Sequence, residues 1–105
     1  MKRGEVWEAD LPAPVGRRPV LILSRDSMPV RRPEITVAYL TTKVRNSPVE
    51  VPLTTADDGV QQDCVCNLDS VNTIPKKSLL HRVCILSAAR MGEVASAIQF
   101  ALELT

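Results

Sequence analysis

The chain has 105 residues, of which 45% are hydrophobic and 24% charged, and its formal net charge is +1. These values are typical of a single globular domain, here residues 1–105, and the absence of any run of about 18 apolar residues excludes a transmembrane helix. Three cysteines, an odd number, argue against a disulfide framework, and together with the lack of an apolar signal segment they favour a reducing cytoplasm.

Short strands are predicted along most of the chain. Runs of β-prone residues, several of them alternating between apolar and polar, indicate strands at 5–11, 20–24, 35–40, 49–53, 64–68 and 79–86. Residues 71–74 either continue the strand at 64–68 or pair with it, and Asp57-Asp58-Gly59 indicates a turn. The run 20–24 is apolar throughout, which predicts a central strand covered on both faces.

One helix is predicted, beginning after Ser87, a residue type that is favoured as an N-cap. Apolar residues recur at helical spacing and predict a buried stripe formed by Met91, Val94, Ala95, Ile98 and Leu102. Phe100 falls outside this stripe and is therefore expected to be exposed or to contact a partner. Short strands followed by one amphipathic helix favour a mainly β fold, a small antiparallel sheet or partly open barrel closed by a C-terminal helix.

Positive charge is concentrated in one part of the chain. Residues 16–46 carry two acidic side chains, Asp26 and Glu34, against seven basic ones, a local charge of 7 − 2 = +5. The basic residues are Arg17, Arg18, Arg25, Arg31, Arg32, Lys43 and Arg45. The clustering favours a polyanion site on one face of the molecule, although solvated loops are the ordinary alternative.

Arg18 precedes the predicted strand 20–24, and Thr41 follows the predicted strand 35–40. If these strands pair antiparallel, the two residues become neighbours. A guanidinium matches two phosphate oxygens and a threonine hydroxyl can donate to a third, so the pair suits metal-free RNA cleavage by an adjacent 2′-hydroxyl. Arginine is a poor base, which leaves proton transfer unassigned, and spacing alone leaves open that both residues are ordinary surface positions.

Other chemistries find less support. Cys64, Cys66, Cys84 and His81 match no familiar zinc pattern, and buried cysteines without metal are the favoured interpretation. The one histidine lies in an apolar strand without a catalytic motif around it, and no glycine-rich phosphate loop is present. We therefore expect neither a metal nor another cofactor.

Four segments in this order resemble the MazF/PemK family of toxin endoribonucleases: Arg3-Gly4-Glu5-Val6-Trp7, Gly16-Arg17-Arg18-Pro19-Val20, Leu40-Thr41-Thr42-Lys43 and Asn67-Leu68-Asp69. The resemblance implies a small SH3-like barrel of the MazF/CcdB type that forms a homodimer. It also implies metal-independent, sequence-specific cleavage of single-stranded RNA, leaving 2′,3′-cyclic phosphate and 5′-hydroxyl ends, under the control of a cognate antitoxin protein.

The resemblance also implies roles for individual residues. The family's catalytic arginine and threonine fall on Arg18 and Thr41. The remaining residues expected to bind RNA are Arg17, Tyr39, Thr42, Lys43, Asn67 and Asp69, with Tyr39 as the platform for a base. Trp7 is expected to pack inside the barrel.

The chain departs from the family pattern in the short loop at 12–17 and at Asn72, where an arginine is expected. These departures bear on which RNA sequence is cut more than on the reaction. Two rival functions remain at this point, because a fold does not fix a function. One is a gyrase-poisoning toxin on the same barrel, as in CcdB, and the other is a non-catalytic barrel that binds RNA or a protein.

Overall fold

The computed structural model describes residues 1–104, which form six strands and a C-terminal helix. The strands are β1 (Glu5–Asp10), β2 (Arg17–Ile22), β3 (Glu34–Thr41), β4 (Glu50–Leu53), β5 (Cys64–Pro75) and β6 (Leu79–Ile85). A short helix, α1 (Thr55–Asp58), follows β4, a 3₁₀ turn (Lys76–Ser78) follows β5, and the long helix is α2 (Ala88–Leu102). One antiparallel sheet, ordered β4-β5-β3-β2-β1-β6, curls into a half-barrel, which confirms the predicted fold class.

The core lies on both faces of this sheet. Leu21 belongs to the cluster that packs beneath α2, while its neighbours Val20 and Ile22 belong to a second cluster on the other face. All three side chains are fully buried, so the prediction of a central strand covered on both faces is confirmed. Trp7 packs half-buried against the second cluster, and its Nε1–H donates a hydrogen bond of 2.9 Å to Glu5 Oε1.

The pairing of β2 with β3 positions the two predicted catalytic residues. Val20 lies opposite Tyr39 and Ile22 opposite Val37, and the same register extended by two residues sets Arg18 opposite Thr41. The prediction that the arginines precede the strand was wrong, because β2 begins at Arg17 and Arg18 pairs with Ala9 of β1.

Residues 64–75 form one continuous strand, β5, so residues 71–74 continue the strand predicted at 64–68 and do not pair with it. Its ladder with β3 is interrupted: Ala38 pairs with Val71 and Tyr39 with Asn67, so residues 68–70 have no partner in β3. The resulting bulge bends the strand and changes the direction of the side chains within it.

Helix α2 begins as predicted, with Ser87 Oγ accepting a hydrogen bond of 3.1 Å from the Arg90 N–H. The predicted stripe was partly wrong, because Leu102 is 58% exposed while Ala97 is buried. Because an α-helix has 3.6 residues per turn, the side that faces the core near the end of α2 carries Ala97 and Ala101, and Leu102 points away from it. Phe100 is exposed, as expected. Within residues 1–104, no helix is long and apolar enough to cross a membrane.

An ion pair joins α1 to α2. Arg90 donates from Nε to Asp58 Oδ1 at 3.0 Å and from Nη2 to Oδ2 at 3.2 Å. The predicted turn at 57–59 is thus the end of α1, where Gly59 adopts φ +82. Burial by itself would raise the pKa of Asp58, but hydrogen bonds from Arg90 and from the Thr54 N–H outweigh it and lower the pKa below its usual value.

Replacing Asp58 by asparagine is expected to destabilise the fold by about 1–3 kcal/mol at pH 7, because a buried charge-assisted contact is lost. The lowered pKa means that this contribution is present above about pH 4 and is lost as the pH falls through the pKa of the folded state. Urea unfolding of both proteins at pH 7 and near pH 2.5 tests this. Glu93→Gln, which removes only the exposed partner of Arg90, is the control and should cost little. An unchanged difference at the lower pH would contradict the assignment.

Candidate functional site

A pocket of about 230 Å³ opens where β2 begins and β3 ends, and we call it the basic pocket. It is lined by Arg18, Tyr39, Thr41, Lys43, Arg45, Asn67 and Ser70. Within residues 1–104, three cationic side chains and no carboxylate line it, so its potential is positive. The predicted neighbours Arg18 and Thr41 are therefore brought together.

Arg18 is held by an aromatic ring. Its guanidinium carbon lies 5.4 Å from the centroid of Tyr39, within the range of a cation–π contact. Its Nε–H is buried and has no acceptor among residues 1–104. An unpaired buried donor costs about 1–3 kcal/mol, so the site favours a ligand that brings an acceptor oxygen to this atom. Tyr39 was predicted as a platform for a base, but here one face of its ring carries Arg18.

Thr41 and Asn67 are oriented by backbone groups. Thr41 Oγ1 accepts a hydrogen bond of 3.2 Å from the Lys43 N–H, which leaves the hydroxyl hydrogen free to donate. Asn67 Oδ1 accepts one of 2.9 Å from the Asp69 N–H, which leaves the amide NH₂ group available. Donors from β3, β5 and the loop after β3 thus converge on one space, an arrangement that suits a tetrahedral anion with several oxygens.

A second pocket of about 200 Å³ shares Arg18 and Thr41 as a common wall, and we call it the adjoining pocket. Apolar side chains form much of it, including Val6, Leu40 and Val60. Its polar lining residues besides the shared wall are Glu8, Arg17, Thr42, Gln61 and Gln62. Arg17 and Thr42, both expected to bind RNA, therefore lie beside the basic pocket and not within it.

Asp69 is placed elsewhere. It is exposed in the β5 bulge and lines a separate depression beside Phe100 of α2. Asn72, which replaces an expected arginine, pairs with Val37 and lines neither pocket. Of the short loop predicted at 12–17, Arg17 belongs to β2 and lines the adjoining pocket. Residues 12–16 form a turn closed by a hydrogen bond of 3.1 Å from the Leu11 N–H to the Gly16 carbonyl, and they line neither pocket.

The predicted basic cluster is divided between two ends of the molecule. Arg25, Arg31 and Arg32 lie in the loop before β3, whereas Thr41 ends that strand. The strand spans eight residues, so its two ends lie about 23 Å apart at about 3.3 Å per residue. The expectation of one continuous basic face was therefore only partly correct, and the cations that belong to the basic pocket are Arg18, Lys43 and Arg45.

The cysteines are free thiols. Burial raises the pKa of Cys64 to about 11 and that of Cys66 to about 12, so both stay protonated near neutral pH and are poor nucleophiles and metal ligands. Residues 1–104 contain no group of three or more His, Cys, Asp or Glu side chains placed to hold a metal ion. His81 is exposed on β6, opposite Glu8 of β1.

Sequence reasoning missed four of the polar residues that line these pockets and did not single out a fifth. Arg45 was counted in the basic run but not assigned to the site. Glu8, Gln61, Gln62 and Ser70 carry no motif. The alternation in β1 could have shown that Glu8 faces away from Trp7, but not that this face borders a pocket.

Comparison with known proteins gives a consistent result. Residues 2–102 match the model of a family described as PemK-like, MazF-like toxin of type II toxin-antitoxin system. The chain is 37% identical over 99 residues to the probable endoribonuclease MazF2 of Mycobacterium tuberculosis, covering 94% of this chain and 95% of that protein.

Solved structures agree with this. The Mycobacterium tuberculosis toxin MazF-mt6 superposes with a TM-score of 0.86 at 35% identity, covering 96% of this chain and 98% of the other. An endoribonuclease in complex with its cognate antitoxin, from a mycobacterial species, superposes with a TM-score of 0.88 at 27% identity, covering 100% and 97%. Since relatives that cover nearly the whole chain are named endoribonucleases, a gyrase-poisoning function is not favoured.

Proposed function

The chain belongs to the PemK-like, MazF-like family of type II toxin–antitoxin toxins, and on that premise we propose that it is a sequence-specific endoribonuclease that cleaves single-stranded RNA. The observation that carries the proposal is that one positively charged pocket is lined by Arg18, whose buried Nε–H is unpaired, and by Thr41, whose hydroxyl hydrogen is free. That combination of donors fits a single phosphodiester.

The reaction proceeds by internal attack. The 2′-hydroxyl oxygen bonds to phosphorus and loses its proton, the bond from phosphorus to O5′ breaks, and O5′ takes up a proton. The products are a 2′,3′-cyclic phosphate and a 5′-hydroxyl. Negative charge builds on the non-bridging oxygens in the transition state. The fixed hydrogen-bond donors of Arg18 and Thr41 stabilise that charge. Magnesium sites use carboxylates, whereas among residues 1–104 the basic pocket is lined by cations, so charge neutralisation falls to the protein.

The remaining predicted residues bind the strand around that phosphate. Lys43 and Asn67 line the basic pocket and bind the neighbouring backbone, and Tyr39 holds the guanidinium of Arg18. Arg17 and Thr42 act in the adjoining pocket. Asp69 contacts RNA only where the strand extends past the β5 bulge toward α2.

The partners follow from the family. A cognate antitoxin binds and inhibits the protein, as a structural relative is solved with its own antitoxin. We further propose that residues 1–105 act as one domain, that two copies form a homodimer, and that the protein works in the cytoplasm. The family match over residues 2–102 supports the single domain.

The experiment that tests this function is incubation of the purified protein with a long single-stranded RNA in excess EDTA. We expect discrete cuts with cyclic phosphate and 5′-hydroxyl ends, detected by end-specific ligation and sequencing. A mobility shift without cuts would indicate a non-catalytic RNA-binding barrel. If the protein neither cuts the RNA nor shifts its mobility, an action on RNA is contradicted. A protein target such as gyrase is then the alternative.

A further inference from the structure

Glu8 contributes the one carboxylate in the lining of the adjoining pocket, among residues 1–104. Its side chain is half-buried on β1 and forms no hydrogen bond or ion pair with any of these residues, although Arg17 and Arg18 line the same pocket. A half-buried carboxylate normally has a partner, because removing charge from water is costly. This one is free to accept hydrogen bonds from a ligand.

The walls of the adjoining pocket suit a planar ring and not a phosphate. Pro19 and Val83, both partly exposed, provide apolar surface for the face of a base, while Glu8, Gln61 and Gln62 provide hydrogen-bonding groups for its edge. The pocket also shares Arg18 and Thr41 with the basic pocket. A phosphate bound at that shared wall would therefore lie next to whatever occupies the adjoining pocket.

We propose that the adjoining pocket binds the nucleobase next to the cleaved phosphate and that Glu8 selects guanine there. The inference rests on the proposed RNA cleavage. An ionised carboxylate only accepts hydrogen bonds. Guanine presents two adjacent donors on its Watson–Crick edge, N1–H and the N2 amino group, which match the two carboxylate oxygens. Uracil presents one N–H between two carbonyl oxygens, which the carboxylate repels.

The test is to cleave a random-sequence single-stranded RNA pool with the wild-type protein and with Glu8→Gln, and to sequence the ends. An amide offers one acceptor and one donor, which match the N6 amino group and N1 of adenine. We expect the preference for guanine at one position beside the cut to fall at least about fivefold, with adenine gaining, since a good bidentate contact discriminates by about 1–3 kcal/mol. Glu8→Asp should keep the guanine preference, which provides a second variant if the amide impairs folding.

Glu34→Gln, the same chemical change on an exposed residue at the far end of β3, is the matched control and should leave the preference unchanged. Three outcomes would overturn the inference. One is an unchanged base preference in Glu8→Gln. Another is an equal loss of rate on all sequences, which would place Glu8 in the chemistry instead of the readout. No cleavage by the wild-type protein would contradict the proposed function itself, and this inference with it.

Discussion

Arg18→Ala is expected to lower kcat/KM for RNA cleavage by about 10²–10³-fold or more, the usual effect of removing a fixed donor from a developing oxyanion. The guanidinium lies over Tyr39 at the wall of the basic pocket, and its Nε–H is buried without a partner among residues 1–104. The donor is therefore in place before the substrate arrives. Cleavage of a short fluorescent RNA under single-turnover conditions measures the effect.

The stability of the same variant provides a separate check. Removing an unsatisfied buried donor relieves a desolvation cost, so Arg18→Ala should unfold at the same temperature as the wild type or slightly higher. Arg18→Lys retains the charge but not the planar fork and should recover only part of the activity. Arg25→Ala, an exposed arginine in the loop after β2, is the control and should cleave normally. An Arg18→Ala protein with wild-type kcat/KM would rule out this catalytic assignment.

Thr41→Val is expected to lower kcat by about 10- to 100-fold, because a hydrogen bond to a charged group is worth about 1.5–3 kcal/mol. Valine keeps the β-branched shape that suits the end of β3 and removes only the hydroxyl. Since Oγ1 already accepts from the Lys43 N–H, the hydroxyl hydrogen is the part of Thr41 that the phosphate uses. Thr41→Ser should retain most of the activity.

Thr36→Val is the matched control for that variant. Thr36 lies on the same strand, lines neither pocket, and pairs its hydroxyl with Thr73 at 3.0 Å. Its substitution should leave kcat unchanged, with at most a small loss of stability. If kcat falls equally in both valine variants, the loss comes from a general disturbance of β3. Thr41 then has no special role in catalysis.

The juxtaposition of Arg18 and Thr41 could be predicted because it depends only on local strand propensity and on antiparallel pairing of neighbouring strands. The start of β2 at Arg17 could not be predicted, because a proline such as Pro19 usually interrupts a strand. Pro19 lies opposite Glu8 in the β1–β2 ladder, and it is tolerated because the pairing of β2 with β3 begins only at Val20. The missing N–H of Pro19 therefore falls outside that stretch of the ladder.

The position of Asp69 and the role of Glu8 were not predictable for a different reason. The bulge at 68–70 is an interruption of pairing between distant segments, and nothing in the local sequence specifies it. Glu8 acquires its surroundings from β2, β3 and the segment 60–64, which the fold brings to one wall. The packing of elements that are distant in sequence determined both.

The most direct measurement is a crystal structure of the protein with a single-stranded RNA that carries a 2′-deoxynucleotide on the 5′ side of the cleaved bond, so that the attacking hydroxyl is absent. We predict that the phosphate at that bond lies in the basic pocket, with oxygens within hydrogen-bonding distance of Arg18 Nε and Thr41 Oγ1. A phosphate seated instead at the arginines of the loop before β3, or beside Asp69 and α2, would contradict the account.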